Sequence, residues 1–232
     1  MKKILFTICM RSGSKGIKNK HFKLLDKKPL FYHTLEYVKN IKKKNLVAVS
    51  SDSKKILNRS KKYNVDFLIH RPKNLSSSKS SKIPVIKHAL EQTEKLTKTK
   101  FDYIADFDAT SPLRKNNDFK NALKLFLKKK ADLLITATKS RKNPYFNMVE
   151  LKSGRIKLIK EANYHRRQDA PKVFDMNASF YIWKRKYLLN TKKLISKKTV
   201  LYEMSDITAY DIDNILDLRI NKSLINRFKK NL

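Results

Sequence analysis

Ile4-Leu5-Phe6-Thr7-Ile8-Cys9-Met10-Arg11-Ser12-Gly13-Ser14-Lys15-Gly16 is the stretch that decides the fold. Its first half, Ile4 to Cys9, is a short apolar run of the kind that forms a strand buried on both faces of a parallel sheet. That strand feeds a basic, glycine-containing loop from Met10 to His21. Flexible glycines, exposed backbone N–H groups and cations at the carboxyl end of a buried strand are what a triphosphate needs. The loop has neither P-loop spacing nor the dinucleotide GxGxxG pattern, which argues against ATPase and Rossmann-cofactor roles. Taken alone, it also fits an ordinary surface turn in a lysine-rich chain.

The alternation continues along the chain. Pro29 opens a helical pattern through Leu30, Thr34, Leu35, Val38 and Ile41. The strand Leu46 to Ser50 ends at Ser51-Asp52, with Asp52 placed to cap the helix that carries Ile56 and Leu57. Phe67 to Ile69 reads as a third strand, Arg71 to Lys82 as a polar loop, and Val85, Ile86, Ala89 and Leu90 as the next helix. Tyr103 to Asp108 is a fourth strand with an acidic far end, followed by the turn Ala109 to Arg114, a helix through Ala122 and Phe126, and a fifth strand, Leu133 to Ala137. Such spacing predicts a three-layer α/β/α fold with a mainly parallel, Rossmann-like sheet and right-handed crossovers.

Beyond the fifth strand the rhythm changes. Phe146 to Leu151 and Ile156 to Lys160 read as a hairpin turning at Ser153-Gly154, and Asn177 to Trp183 as a returning strand. Residues 143–174 are therefore expected to leave the sheet, as a cover for substrate or a dimerisation element. The last helix, Ile215 to Phe228, closes a single domain over 1–232, because no Pro-rich or Gly/Ser-rich spacer divides the chain.

Composition bounds the function. Apolar residues at 41% are enough for a packed core and exclude a disordered chain. No apolar run is long enough to span a bilayer, and Met1 to Phe6 meets Thr7, Cys9 and Arg11 too soon for a signal peptide, so a cytoplasmic protein is expected. The single Cys9 excludes an internal disulfide and is expected to pack. A formal net charge of +35 invites a nucleic-acid role, but the lysines are spread over every predicted element rather than gathered on one face. Specific nucleic-acid or membrane binding is not expected; attraction of anionic substrates is.

Asp211-Ile212-Asp213 is the second chemistry-bearing motif. Alternate positions on an extended segment put both carboxylates on one side, and paired carboxylates near phosphates suit Mg²⁺. Asp213 as the cap of the final helix is the competing reading.

In order along the chain, Arg11 to His21, Ser51-Asp52, Arg71-Pro72, Thr110-Ser111-Pro112-Leu113-Arg114, Arg167-Gln168, Asn177 to Ile182 and Asp211-Ile212-Asp213 resemble the acylneuraminate cytidylyltransferase family, the CMP-sialic acid synthetases and their relatives. Asp106-Phe107-Asp108, Asn143 to Asn147 and Arg167-Gln168-Asp169-Ala170-Pro171 look closer to its CMP-legionaminic acid synthetase branch. The resemblance implies a nucleotidyltransferase that joins CTP to a nonulosonic acid and releases pyrophosphate. It places Arg11, Ser12, Gly13, Ser14, Lys15, Lys20, His21, Arg71 and Lys82 at the nucleotide, with Arg11, Lys15, Lys20 and Asp211 in catalysis. Asp108, Arg167, Gln168 and Tyr181 would face the sugar, and Asp211 and Asp213 would hold Mg²⁺. It also implies a homodimer in which the excursion of one subunit completes its neighbour's site. His21 stands where the family usually has Asn, Ser78 where an Asp is common, and Asp108 where sialic acid enzymes have Gln, which bears on base and sugar choice. The rival readings are a transferase for another sugar acid, such as KDO, or another nucleotide, and a nucleic-acid-binding protein on a degenerate enzyme scaffold.

Overall fold

The computed structural model describes residues 2–14, 16–77 and 80–230, without the side chains of 228–230. Lys15 and Ser78 thus lie outside the described residues. The chain runs β1 (Ile4–Met10), a short ladder of β2 (Leu24–Leu25) and β3 (Lys28–Pro29), α1 (Leu30–Ile41), β4 (Leu46–Ser51), α2 (Lys54–Ser60) and β5 (Phe67–His70). It continues through α3 (Lys82–Thr97), β6 (Tyr103–Phe107), α4 (Asp118–Lys128), β7 (Leu133–Lys139) and the hairpin β8 (Val149–Lys152) and β9 (Arg155–Leu158). β10 (Phe174–Lys184), α5 (Arg185–Asn190), β11 (Thr199–Glu203) and α6 (Ile215–Lys230) complete it.

Seven strands form one sheet in the order β11-β7-β10-β6-β1-β4-β5. Alternation along β1 sends Phe6 and Ile8 to one face, against Phe31 and Leu35 of α1, Ile56 of α2 and Phe126 of α4. Leu5 faces the other, against Ile83, Ile86 and Leu90 of α3 and Leu188 of α5. The expected three layers are present.

The sheet is mainly parallel, as expected, with one strand reversed. β10 runs antiparallel to both β6 and β7, so the sheet is mixed. The reason lies in the connection: between β7 and β10 the chain forms only the outlying hairpin and one short turn of helix, with no crossover helix to bring it back parallel. The register of β10 also slips between Met176 and Tyr181, where Ala178 adopts φ 48°. This bulge is used as a fastener. Asn177 Nδ2 donates to the carbonyl and hydroxyl of Thr208 at 3.2 and 3.1 Å, and Ser111 Oγ donates to Asn177 O at 3.1 Å. A left-handed alanine costs roughly 1–2 kcal/mol that glycine does not incur, partly offset by glycine's freedom when unfolded. Ala178→Gly should therefore stabilise the chain by about 0.5–1 kcal/mol, read as a higher thermal midpoint.

The β8–β9 hairpin turns at Ser153-Gly154, both with positive φ, as expected, and every residue of its two strands is exposed. Val149 pairs with Leu158 and Leu151 with Ile156, so one face of an isolated two-stranded hairpin carries four uncovered aliphatic side chains.

Candidate functional site

Strand order decides where a ligand can sit. After β1 the chain moves to β4 and β5 on one side, then returns to place β6 on the other, and the three parallel pairs among these strands end at one edge. This reversal opens a crevice beyond the carboxyl ends of β1 and β6. A cleft of about 540 Å³ lies there, reached by Arg11 and Ser14 from the first loop, Lys20, His21, Arg71, Lys82, Asp108, Asp211 and Asp213.

Each wall is held by identifiable contacts. Asp52 does not cap α2; Ser53 does, accepting from Ile56 N at 3.3 Å. Asp52 instead accepts from the N–H and hydroxyl of Ser12 at 2.8 and 2.6 Å, which pins the first loop to the end of β4. Although its burial pulls the other way, these bonds hold the Asp52 carboxyl below its ordinary pKa. Ser12 is thus a tether whose donors are already spent, and it borders a separate small hollow with Asn19 and Ser53. Gly13 has open space around it and does not border the cleft. Of the described residues in this loop, Arg11, Ser14 and Gly16 border the cleft.

Gly16 seats directly against the backbone of Asp213. A Cβ there would overlap the carbonyl oxygen of Asp213 and lie 3.1 Å from its carbonyl carbon. Behind the contact, Ile17, Leu25, Leu30, Leu113, Ile212, Leu218 and Ile225 form a third, small apolar cluster. Ile212 is fully buried, which leaves Asp211 and Asp213 on the opposite side, bordering the cleft. Its N–H donates to Thr110 O at 2.9 Å, while Lys20 Nζ donates to Ile212 O and Asp213 Oδ1, both at 2.8 Å. Asp213 is not the helix cap: Asn214 Oδ1 accepts from Asp217 N and Asp217 Oδ2 from Asn214 N, a reciprocal capping box. Burial, then the Asp213 and Asp108 carboxylates, push the Asp211 carboxyl up to about 6.

The inner wall is charged. Lys82 Nζ lies 3.2 Å from Asp106 Oδ2 and 3.1 Å from Asp108 Oδ2, and 4.6 Å from the centroid of the Tyr181 ring. Asp108 Oδ1 also accepts from the N–H and hydroxyl of Thr110 at 2.9 and 2.8 Å, and buried Asp106 accepts from Thr7 Oγ1 at 2.7 Å. Burial disfavours charge on Asp108, but Lys82 and Thr110 outweigh it and hold its pKa well below the ordinary value. Burial likewise opposes charge on Lys82, and Asp108 and Asp106 outweigh it upward. The Lys82 ammonium is therefore engaged by two carboxylates while bordering the cleft.

Arg71 is buried, donating to Met10 O and, at 3.1 Å, to Ser50 O, so it binds the ends of β1 and β4 while bordering the cleft. Arg114 is a pillar of the same kind: it donates to Asp108 O, to Ser179 O at 2.7 Å and to Thr34 Oγ1 at 2.9 Å. His21 is buried, and burial pushes its imidazole down to about 4, so a neutral ring faces the cleft at pH 7. Cys9 packs in the core beside α3 as expected, yet it also borders the cleft, with burial and then Asp106 raising its thiol pKa.

Arg167 and Gln168 are not brought to the cleft. They occupy an exposed helical turn, Arg167–Asp169, where Arg167 Nη2 donates to Arg141 O at 2.6 Å. Among the described residues, no group of three or more His, Cys, Asp and Glu side chains closes on a metal position. The contacts that Asp52, Asp106 and Lys82 make in the site, to Ser12, Thr7 and Asp108, join distant parts of the chain, and the local motifs that contain these residues do not show them.

A protein-family model described as cytidylyltransferase matches residues 5–230. The chain belongs to the cytidylyltransferase family. This cytidylyltransferase is 40% identical over 226 residues to a CMP-N,N'-diacetyllegionaminic acid synthase of Campylobacter jejuni, covering 97% of this chain and 96% of that protein. It is 39% identical over 232 residues to a post-translational flagellin modification protein B of Campylobacter coli, covering 100% and 98%. An N-acylneuraminate cytidylyltransferase of Escherichia coli is 28% identical, with the chain spanning 51% of its length. Among solved structures, a CMP:2-keto-3-deoxy-manno-octonic acid synthetase complexed with CTP superposes with a TM-score of 0.67 over 97% of this chain and 99% of that one. At 12% identity that likeness shows the shared fold.

Proposed function

We propose that this cytidylyltransferase transfers CMP from CTP to a nonulosonic acid of the legionaminate or N-acylneuraminate type, releasing pyrophosphate. The carrying observation is the seating of Gly16 against Asp213, which joins a basic phosphate loop to a carboxylate pair across one cleft. In the proposed step the anomeric hydroxyl oxygen bonds to the α-phosphorus and the α–β bridging bond breaks. Pyrophosphate leaves with the electron pair, and the hydroxyl proton passes to solvent. Arg11, Ser14 and Lys20 would orient the phosphates, as would Lys15, and alignment with charge stabilisation carries more of this chemistry than a covalent nucleophile.

The residues fit Mg²⁺. Asp211 is crowded by Asp213 and Asp108, a repulsion that a divalent cation relieves, and Mg²⁺ is commonly held by one or two carboxylates plus substrate phosphates. When bound, the ion would neutralise phosphate oxygens and act as a Lewis acid. We further propose a homodimer. The uncovered aliphatic face of the β8–β9 hairpin and the exposed Arg167–Asp169 turn, which does not line the cleft, both suit an excursion that serves a neighbouring subunit. No helix among the described residues is long and apolar enough to cross a membrane. A reaction fed by CTP belongs in the cytoplasm.

The test is pyrophosphate release with each of the four nucleoside triphosphates against N,N'-diacetyllegionaminic, N-acetylneuraminic, pseudaminic and KDO acids, with Mg²⁺ or EDTA. Turnover with CTP, Mg²⁺ and an N-acylated nine-carbon acid is expected. Turnover confined to KDO or to another nucleotide would refute the proposal.

A further inference from the structure

The carboxylate pair already has a cation against it. Lys20 Nζ donates to Asp213 Oδ1 and to Ile212 O, both at 2.8 Å. Only one partner of this ion pair is exposed: 72% of the Asp213 side chain is accessible, against 12% of the Lys20 side chain. The ammonium is anchored by the carbonyl of Ile212, a fully buried residue, so its charge is a fixture of the segment that carries both carboxylates. Of its three N–H donors two are spent there. Lys20 also borders the cleft, where a phosphate oxygen can take the third.

Such a fixture acts oppositely on a metal and on a nucleotide. An ammonium bonded to Asp213 repels a divalent cation that seeks the same carboxylate, and it already occupies one of that carboxylate's roughly four lone-pair sites. Among the described residues no group of three His, Cys, Asp or Glu side chains is present to outweigh the repulsion. A triphosphate does outweigh it, because its oxygens offset the Lys20 charge and supply further ligands. Resting on the function proposed above, we infer that Lys20 is a built-in counter-ion of the carboxylate pair: it denies Asp211 and Asp213 a divalent cation until a triphosphate arrives, so the metal enters with the nucleotide rather than before it. Lys20 thereby sets the order of assembly as well as touching phosphate.

Binding of Mn²⁺, an oxygen-seeking stand-in for Mg²⁺ whose free ion gives its own paramagnetic resonance signal, measures this effect without turnover. In the nucleotide-free protein Lys20→Met should bind Mn²⁺ about tenfold tighter or more, the effect of removing a unit charge beside the ion. The same variant should bind α,β-methylene-CTP in EDTA about tenfold more weakly, the scale of one charge-assisted hydrogen bond. Lys20→Arg keeps the charge and should leave Mn²⁺ affinity within about threefold of wild type. Lys18→Met removes the same formal charge from an exposed position of the same loop, outside the cleft lining, and should change Mn²⁺ affinity by less than about twofold at physiological ionic strength.

A lysine that only held the segment in shape would weaken metal and nucleotide alike when removed, so opposite signs separate the two roles. Mn²⁺ binding unchanged or weakened in Lys20→Met, or tightened equally by Lys18→Met, would overturn the inference. Lys20→Gln, which keeps an N–H donor but no charge, serves as the test if Lys20→Met does not fold. A wild type that binds α,β-methylene-CTP yet releases no pyrophosphate with any of the sugar acids would refute the proposed reaction alone. A wild type that binds no CTP analogue would refute both.

Discussion

Gly16→Ala is expected to lower pyrophosphate release by about 100-fold or more, the scale reached when reacting groups are displaced by about 1 Å. The glycine needs no unusual backbone angle; what it needs is room. A methyl group at this position meets the backbone carbonyl of Asp213, which cannot rotate away as a flexible side chain could. Either the first loop lifts or the Asp211–Asp213 segment retreats, and Lys20, which bonds both Ile212 O and Asp213, is drawn along. Overpacking of this kind also costs about 1–3 kcal/mol of stability, so the thermal midpoint should fall. Gly13→Ala is the control: nothing lies within 4 Å of its added methyl, and stability should be nearly unchanged. Full activity in Gly16→Ala would show that the loop and the carboxylate pair need not touch.

Asp211→Asn should lower Mg²⁺-dependent turnover by about 100-fold or more, the usual scale for losing one preorganised electrostatic group, while raising the stability of the metal-free chain. The sign follows from the folded-state pKa of about 6, which lies above the ordinary carboxylate value. Between those values the folded chain binds the proton more readily than the unfolded chain, so protonation favours folding as pH falls through about 6. At pH 7 the ionised carboxylate, crowded by Asp213 and Asp108, opposes folding. Asparagine removes that repulsion. Melting in EDTA should therefore show Asp211→Asn above wild type at pH 7, with the gap narrowing toward pH 4.5. A variant less stable at pH 7, or one retaining turnover that ignores Mg²⁺, would remove Asp211 from the proposed metal position.

Much of the fold was legible because local patterns and global placement agree. Apolar runs at Ile4, Leu46, Phe67, Tyr103 and Leu133 became strands within a residue or two of expectation, and helical spacing located α1, α3 and α4. β10 was read as a strand but not as an antiparallel one, because direction is set by the connection and leaves no mark on the strand's own residues. Asp52 shows the same limit. An Asp one residue before a Ser ahead of a helix looks like a cap; which of them caps depends on what else lies within reach, and here Ser12 does.

The sequence by itself determined the α/β class, the basic loop after β1, the carboxylate pair at positions 211 and 213, and the family, since each is carried by residues close together or in a recognisable order. Only the tertiary structure decided that loop and pair share one cleft, that Ser12 is a tether, and that Lys82 serves two carboxylates. Those facts join residues separated by between 24 and about 200 positions, which side-chain packing and strand order bring together and which no local periodicity encodes.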